Sequence, residues 1–75
     1  MHSIEMILST LIEAINQRID TRMIHYQEVT RLDQEEIERD GSSDYYDELQ
    51  RISGEISGLN YSVQIIQAMK RMLFK

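Results

Sequence analysis

The chain has no cysteine, no proline and no tryptophan, and only three glycines among its 75 residues. Without cysteine there is neither a disulfide framework nor a thiolate zinc site, and the chain fits a reducing compartment. With no proline, turn signals come down to glycine and its small polar neighbours. Basic residues are also in short supply: eight Lys and Arg against thirteen Asp and Glu give a net charge of −5 and a pI of about 4.8. That balance argues against direct nucleic-acid binding and against attraction to anionic membranes. No long apolar run is present either. The N-terminal stretch MHSIEMILSTLIEAI lacks a basic leader region and is broken by Glu5 and Glu13, so a signal peptide is not expected. Nothing approaches the roughly 18 apolar residues of a membrane span. What is there is ordinary folded composition, 41% hydrophobic and 28% charged, rich in Ile, Leu and Met. The expectation is one soluble domain over residues 1–75, cytoplasmic, in a bacterium or a phage-infected host.

Apolar residues follow helical spacing in both halves. Ile4, Leu8, Leu11, Ile15, Ile19, Met23, Tyr26 and Val29 step by threes and fours, with Ile7 and Ile12 widening the stripe. This predicts a first helix over about 3–39, capped by Ser3. The stretch Arg39-Asp40-Gly41-Ser42-Ser43-Asp44 is the turn signal. Gly41 suits the left-handed C-cap, and Ser42, Ser43 or Asp44 can cap the next helix. The turn is placed at about 40–43 and a second helix at about 44–73. Its seam, Tyr45, Leu49, Ile52, Ile56, Leu59, Val63 and Ile66, alternates steps of four and three; Lys70 then takes an inner position and Leu73 resumes the line. The predicted fold is all-α: an antiparallel, coiled-coil-like two-helix hairpin.

Two helices share only one interface, and chains this short rarely assemble a sufficient core alone. A further apolar line, Tyr61, Ile65, Met69 and Met72, runs down the second helix and continues upstream through Gly58 and Gly54. Each glycine costs about 0.8–1 kcal/mol of helix propensity relative to alanine. Ser53, Gly54, Ser57 and Gly58 are therefore read as a shallow packing groove, against the alternative of a tolerated solvent-facing stretch. The expected assembly is a homodimer, closing a four-helix bundle. From Asp33 to Glu48 there are eight acids and one base, whereas the C-terminal end carries Lys70, Arg71 and Lys75. An antiparallel dimer brings one subunit's acidic turn near the other's basic end, and is preferred.

The acidic turn supplies the candidate partner-binding residues: Asp33, Glu35, Glu36, Glu38, Asp40, Asp44, Tyr46, Asp47 and Glu48. A row of carboxylates on a rigid rod can imitate DNA phosphates and engage the basic surface of another protein. Tyr46 is the aromatic expected to be exposed there, and Tyr45 the one expected in the seam. A third reading lays a calcium loop on the same residues. Glu36, Glu38 and Asp40 then stand at positions one, three and five, Gly41 at six, Asp44 at nine and Asp47 at twelve. Against it, position one is Glu, position twelve is the shorter Asp, and Ser43 occupies a normally aliphatic place. Arg18, Arg22 and His25 share one face of the first helix, where pairing with acids across the hairpin is the simpler expectation.

No catalytic constellation is present: no Glu-x-x-His pair for a di-iron bundle, no nucleophile with its base, no glycine-rich phosphate loop. Tyr46-Asp47-Glu48-Leu49-Gln50 shares only Glu48-Leu49 with the Ser-Gln-Glu-Leu-Asp signature of small acidic hairpin phosphatases, and Gln50 replaces its terminal Asp. The expectation is a non-enzyme without cofactor. It would be a small acidic modulator or inhibitor of another protein, in the manner of an anti-repressor or a phage inhibitor of a host or defence protein. The alternative is an assembly subunit or secretion co-chaperone that works through the Met and Ile stripe.

Overall fold

Ser3 starts the first helix as the sequence requires. In the computed structural model, which describes residues 3–74, its Oγ accepts a hydrogen bond from the Met6 N–H at 3.1 Å. Helix α1 then runs unbroken over Ile4–Asp40. Three threonines along it, Thr10, Thr21 and Thr30, bond their hydroxyls back to the carbonyls of Met6, Gln17 and Tyr26. That satisfies a β-branched polar side chain without a partner from elsewhere. Gly41 ends the helix in the left-handed region, at φ 81°, and its N–H donates to the Ile37 carbonyl at 2.7 Å. Helix α2 covers Tyr46–Leu73.

The connection is thus 41–45 rather than 40–43, and the second helix starts two residues later than expected. Neither Ser42, Ser43 nor Asp44 caps it. The N-cap position falls to Tyr45, which offers no side-chain cap, and Ser43 Oγ instead accepts the Tyr45 N–H at 3.1 Å. That local bond holds the backbone out of the helix for one more step.

The two helices pack antiparallel into a rod of 57 × 19 × 13 Å. Among the described residues both elements are helical, and neither is long and apolar enough to cross a membrane. Cross-helix bonds set the register: Arg22 meets Glu55, and Lys70 Nζ donates to Ser9 Oγ at 2.8 Å. From Arg22 to Asp40 is about 27 Å of helix, while from Glu55 back to Tyr46 is only about 13 Å, at 1.5 Å per residue. Helix α1 therefore overhangs α2 by about 13 Å at the turn, and the linking residues return alongside it.

The core is one line of side chains. Leu8, Ile19, Val29, Ile52 and Val63 are the buried hydrophobics among the described residues, and Ile52 alone is at 0% exposure. The expected α2 seam is observed: Tyr45, Leu49, Ile56, Leu59 and Ile66 are half-buried around Ile52 and Val63. Leu73 is the exception, exposed at the end of the rod. The α1 seam differs from the expected one. Ile4, Leu11, Met23 and Tyr26 are exposed, and their places are taken by Ile12, Arg22, His25 and Leu32, all half-buried. Following apolar residues alone makes the line start on one edge of the helix and end on the other. The packed seam stays on one bearing instead, because Glu48 and Glu55 reach across to polar residues there. The long Arg22 stem can line a seam while its head finds a carboxylate.

Candidate functional site

The heptad positions divide the hairpin into two flanks on either side of the seam. On α1, Ile4, Leu11, Arg18 and His25 recur every seven residues; on α2, Glu48, Glu55, Ser62 and Met69 do the same. His25 Nε2 stands 3.7 Å from Glu48 Oε1, too far for a hydrogen bond but close enough for an ion pair once the imidazole is protonated. Arg22 Nη2 donates to Glu55 Oε1 at 3.1 Å. Its Nε also lies 3.1 Å from Oε2, yet that buried N–H is not aimed well enough to form a second hydrogen bond. These contacts join the two seven-residue lines along a single flank. Arg22 and His25 thus pair across the hairpin, the simpler of the two expected roles, while Arg18 is exposed.

This joined flank changes character along its length. From the middle of the rod toward the turn it is ionic: Arg18, Arg22, His25, Glu48 and Glu55. Near the open end it is apolar, with Ile4, Ile7 and Leu11 on α1 and Ile65, Met69 and Met72 on α2 all exposed. The expected α2 stripe is therefore solvent-facing, and Ile4 and Leu11, expected in the core, belong beside it. A shallow hollow bounded by Met6, Ile7, Thr10 and Leu11 marks the α1 side.

The opposite flank carries Lys70, drawn to Ser9, and a groove of about 460 Å³ lined by Met23, Tyr26, Gln27, Ser53, Ile56 and Ser57. The four small residues expected to form one groove are consequently split. Ser53 and Ser57 border this groove, whereas Gly54 and Gly58 have no atom within 4 Å of where a Cβ would stand. Nothing inside the hairpin requires either to be glycine. Tyr61, on the same outer side of α2, is exposed.

The acidic residues concentrate at the turn end, on the last turns of α1, the connection and the first turn of α2. Eight of the thirteen acids and one of the eight bases lie between Asp33 and Glu48, so this segment carries −7 and the rest of the chain +2. Lys75, part of the basic end, lies outside the described residues. The acids do not form one sheet of charge. Asp33, Glu36 and Asp40 share one helical face at steps of three and four, Glu35 and Glu38 lie on another, and Asp33 and Glu36 are half-buried. Arg31 bridges Glu28 and Glu35, reaching Glu35 at 2.6 Å, and Arg39 Nε is 3.4 Å from Asp40. Hydrogen bonding to Arg31, then its charge, hold the Glu28 carboxyl below its ordinary 4.5. Asp44 is exposed in the connection, Asp47 is exposed at the start of α2, and Glu48 is committed toward His25. Tyr46 is 67% exposed and Tyr45 half-buried, as the seam implied.

Glu36, Glu38 and Asp40 all belong to α1 rather than to a loop, so they do not wrap a common point as a calcium loop would. Among the described residues no three Asp, Glu or His side chains converge closely enough to hold a metal ion. The joined flank was legible in principle. Opposite charges at seven-residue spacing, Glu48 and Glu55 against Arg18 and His25, are the cue that orients two helices. Apolar periodicity alone passes it over. The sequence matches no family model, and comparison with curated proteins and with solved structures gave no match.

Proposed function

We propose that this chain is a non-catalytic, protein-binding modulator that works as a self-associated helical hairpin, presenting its acidic tip to a basic surface on another protein. The observation that carries the reading is the separation of charge. The segment from Asp33 to Glu48, which spans the end of α1, the connection and the start of α2, holds −7, with Tyr46 and Ile37 exposed among the carboxylates, while the remainder of the chain is +2. A rigid, strongly negative projection speeds encounter with a basic partner and penalises acidic ones. The exposed tyrosine supplies an anchor of the kind interfaces favour. Inhibition by occupying a nucleic-acid groove is the form of modulation that such a tip suits best.

The test is to capture partners from a bacterial or phage-infected extract, identify them by mass spectrometry, and titrate the purified partner. Between about 50 and 300 mM salt the affinity should fall at least tenfold. A triple Glu35→Gln, Glu36→Gln, Glu38→Gln variant should weaken binding at low salt. Affinity indifferent to both changes would remove the acidic tip from the function. It would favour the second reading, an assembly subunit acting through the apolar open end. That reading is supported by one observation: among the described residues fifteen large hydrophobics are exposed against five buried.

A further inference from the structure

The accessible surface of the chain is 5925 Å². A compact monomer of 8.9 kDa exposes about 4,800 Å². The excess, about 1,100 Å², is not spread evenly in character. Ile4, Ile7, Leu11, Ile65, Met69 and Met72 gather on one flank of the open end, with exposures from 43% to 76%. Together they leave roughly 650 Å² in contact with water, at or above the largest apolar patch of a typical monomer and close to the ~800 Å² that each side of a standard interface gives up. The occupant is constrained by charge. The patch is uncharged, its area is near what one side of a dimer contact gives up, and a second copy of the chain carries the same patch. Two copies cannot approach tip to tip, since each tip carries −7.

A fully overlapped antiparallel bundle across this flank lays each apolar end opposite residues 33–40 of the other copy, where it meets carboxylates rather than apolar surface. It also fails to bring the basic end to the acidic tip: Lys70 is turned toward Ser9, and Arg71 lines the same opposite flank with Glu5 and Ser9. We propose instead that two hairpins join as a staggered antiparallel dimer, only their apolar open ends overlapping about a two-fold axis between Leu11 and Ile4. The patch then covers itself, as a two-fold contact requires. The acidic tips project at opposite ends of a rod about 95 Å long, by the 1.5 Å helical rise, many screening lengths apart. This rests on the self-association in the reading above and specifies its geometry. It also assigns the dimer the capacity to engage two basic partners at once.

Because the chain has no cysteine, a spin label at Gln27→Cys is unique. Gln27 is exposed and outside the patch. The staggered dimer places the two labels about 60 Å apart, whereas full overlap, parallel or antiparallel, places them near 20 Å, by the same helical rise. Small-angle scattering should give a largest dimension near 100 Å rather than near 60 Å. Met72→Glu, at a position 76% exposed, should weaken dimerisation at least tenfold with unchanged helical circular dichroism. Gly54→Leu, beyond the overlap, should leave it unchanged. A label distance near 20 Å, or loss of the dimer with Gly54→Leu, overturns the staggered arrangement while leaving self-association intact. A monomer at all concentrations overturns both.

Discussion

The two ends of the hairpin solve the same packing problem in opposite ways. In the half toward the turn the seam between the helices admits Arg22 and His25, answered by Glu55 and Glu48, and the segment beyond it carries −7. At the open end the seam is aliphatic apart from Lys70, which bonds to Ser9, and one flank is apolar, with Ile4, Ile7, Leu11, Ile65, Met69 and Met72 exposed. One end stores charge and the other stores apolar area. The difference teaches where each kind of partner can bind. Charge acts at a distance and suits encounter with a basic surface, whereas apolar area acts only on contact and suits a permanent neighbour.

The sharpest way to break this comparison is to treat two isoleucines alike. Ile52 is fully buried in the common seam, and Ile65 is exposed at the open end. Ile52→Ala should cost about 2–5 kcal/mol and lower the melting temperature seen by circular dichroism in proportion. Ile65→Ala should move the dilute chain's unfolding by no more than about 0.5 kcal/mol, while weakening the proposed dimer at high concentration. Equal effects would mean that the open end is ordinary core.

Next in size is the ion pair within the seam. Arg22 and Glu55 side chains are 24% and 37% exposed, so water softens the penalty of breaking them. Arg22→Leu alone should destabilise by about 1 kcal/mol in urea unfolding, because Glu55 loses its partner at a half-covered site. Arg22→Leu with Glu55→Leu should recover that loss or exceed it, since apolar pairs often replace such ion pairs without cost. A double variant less stable than the single one would show that the turn half needs its polar seam.

The glycines sharpen the contrast at about the same scale. Gly41→Ala should destabilise by about 1 kcal/mol, because the left-handed φ of 81° crowds any Cβ. Gly54→Ala should do the reverse, adding about 0.8–1 kcal/mol of helix propensity, since no atom stands within 4 Å of the new methyl group. The same denaturant series reads both, and a destabilised Gly54→Ala would contradict the open surroundings of that residue.

The smallest effect lies at the root of the acidic tip. Glu28 is held below its ordinary 4.5 by its hydrogen bond to Arg31 and by that residue's charge. A depressed carboxyl supports the folded state at pH above its unfolded value and loses that support as pH falls through its folded one. NMR titration should therefore show Glu28 ionising at lower pH than ordinary, and Arg31→Gln should return it upward. An unmoved midpoint would mean that the ladder from Glu28 through Arg31 to Glu35 does not persist in water.

Much of this architecture is written in local pattern. The four-three alternation of Leu49, Ile52, Ile56, Leu59, Val63 and Ile66 specifies the inner face of α2, and a single Gly-Ser-Ser turn leaves an antiparallel hairpin as the short-loop solution. Ser3 and Gly41 mark the ends of α1 through caps that depend on a few adjacent residues. Those features were legible because their causes are local. The charge imbalance between tip and remainder is likewise a property of the chain itself.

The packing of α1 was decided only when α2 lay against it. Its stripe is wide enough to support two seams, one through Leu11 and Met23 and one through Ile12 and Arg22. Hydrophobicity favours the first; the reach of Glu48 and Glu55 from the other helix selects the second. That selection turned Ile4 and Leu11 outward and set the 13 Å overhang estimated from the helical rise. Periodicity records which residues could face inward along one helix. Which of them do depends on side chains many residues away, and those meet only once the chain has folded back on itself.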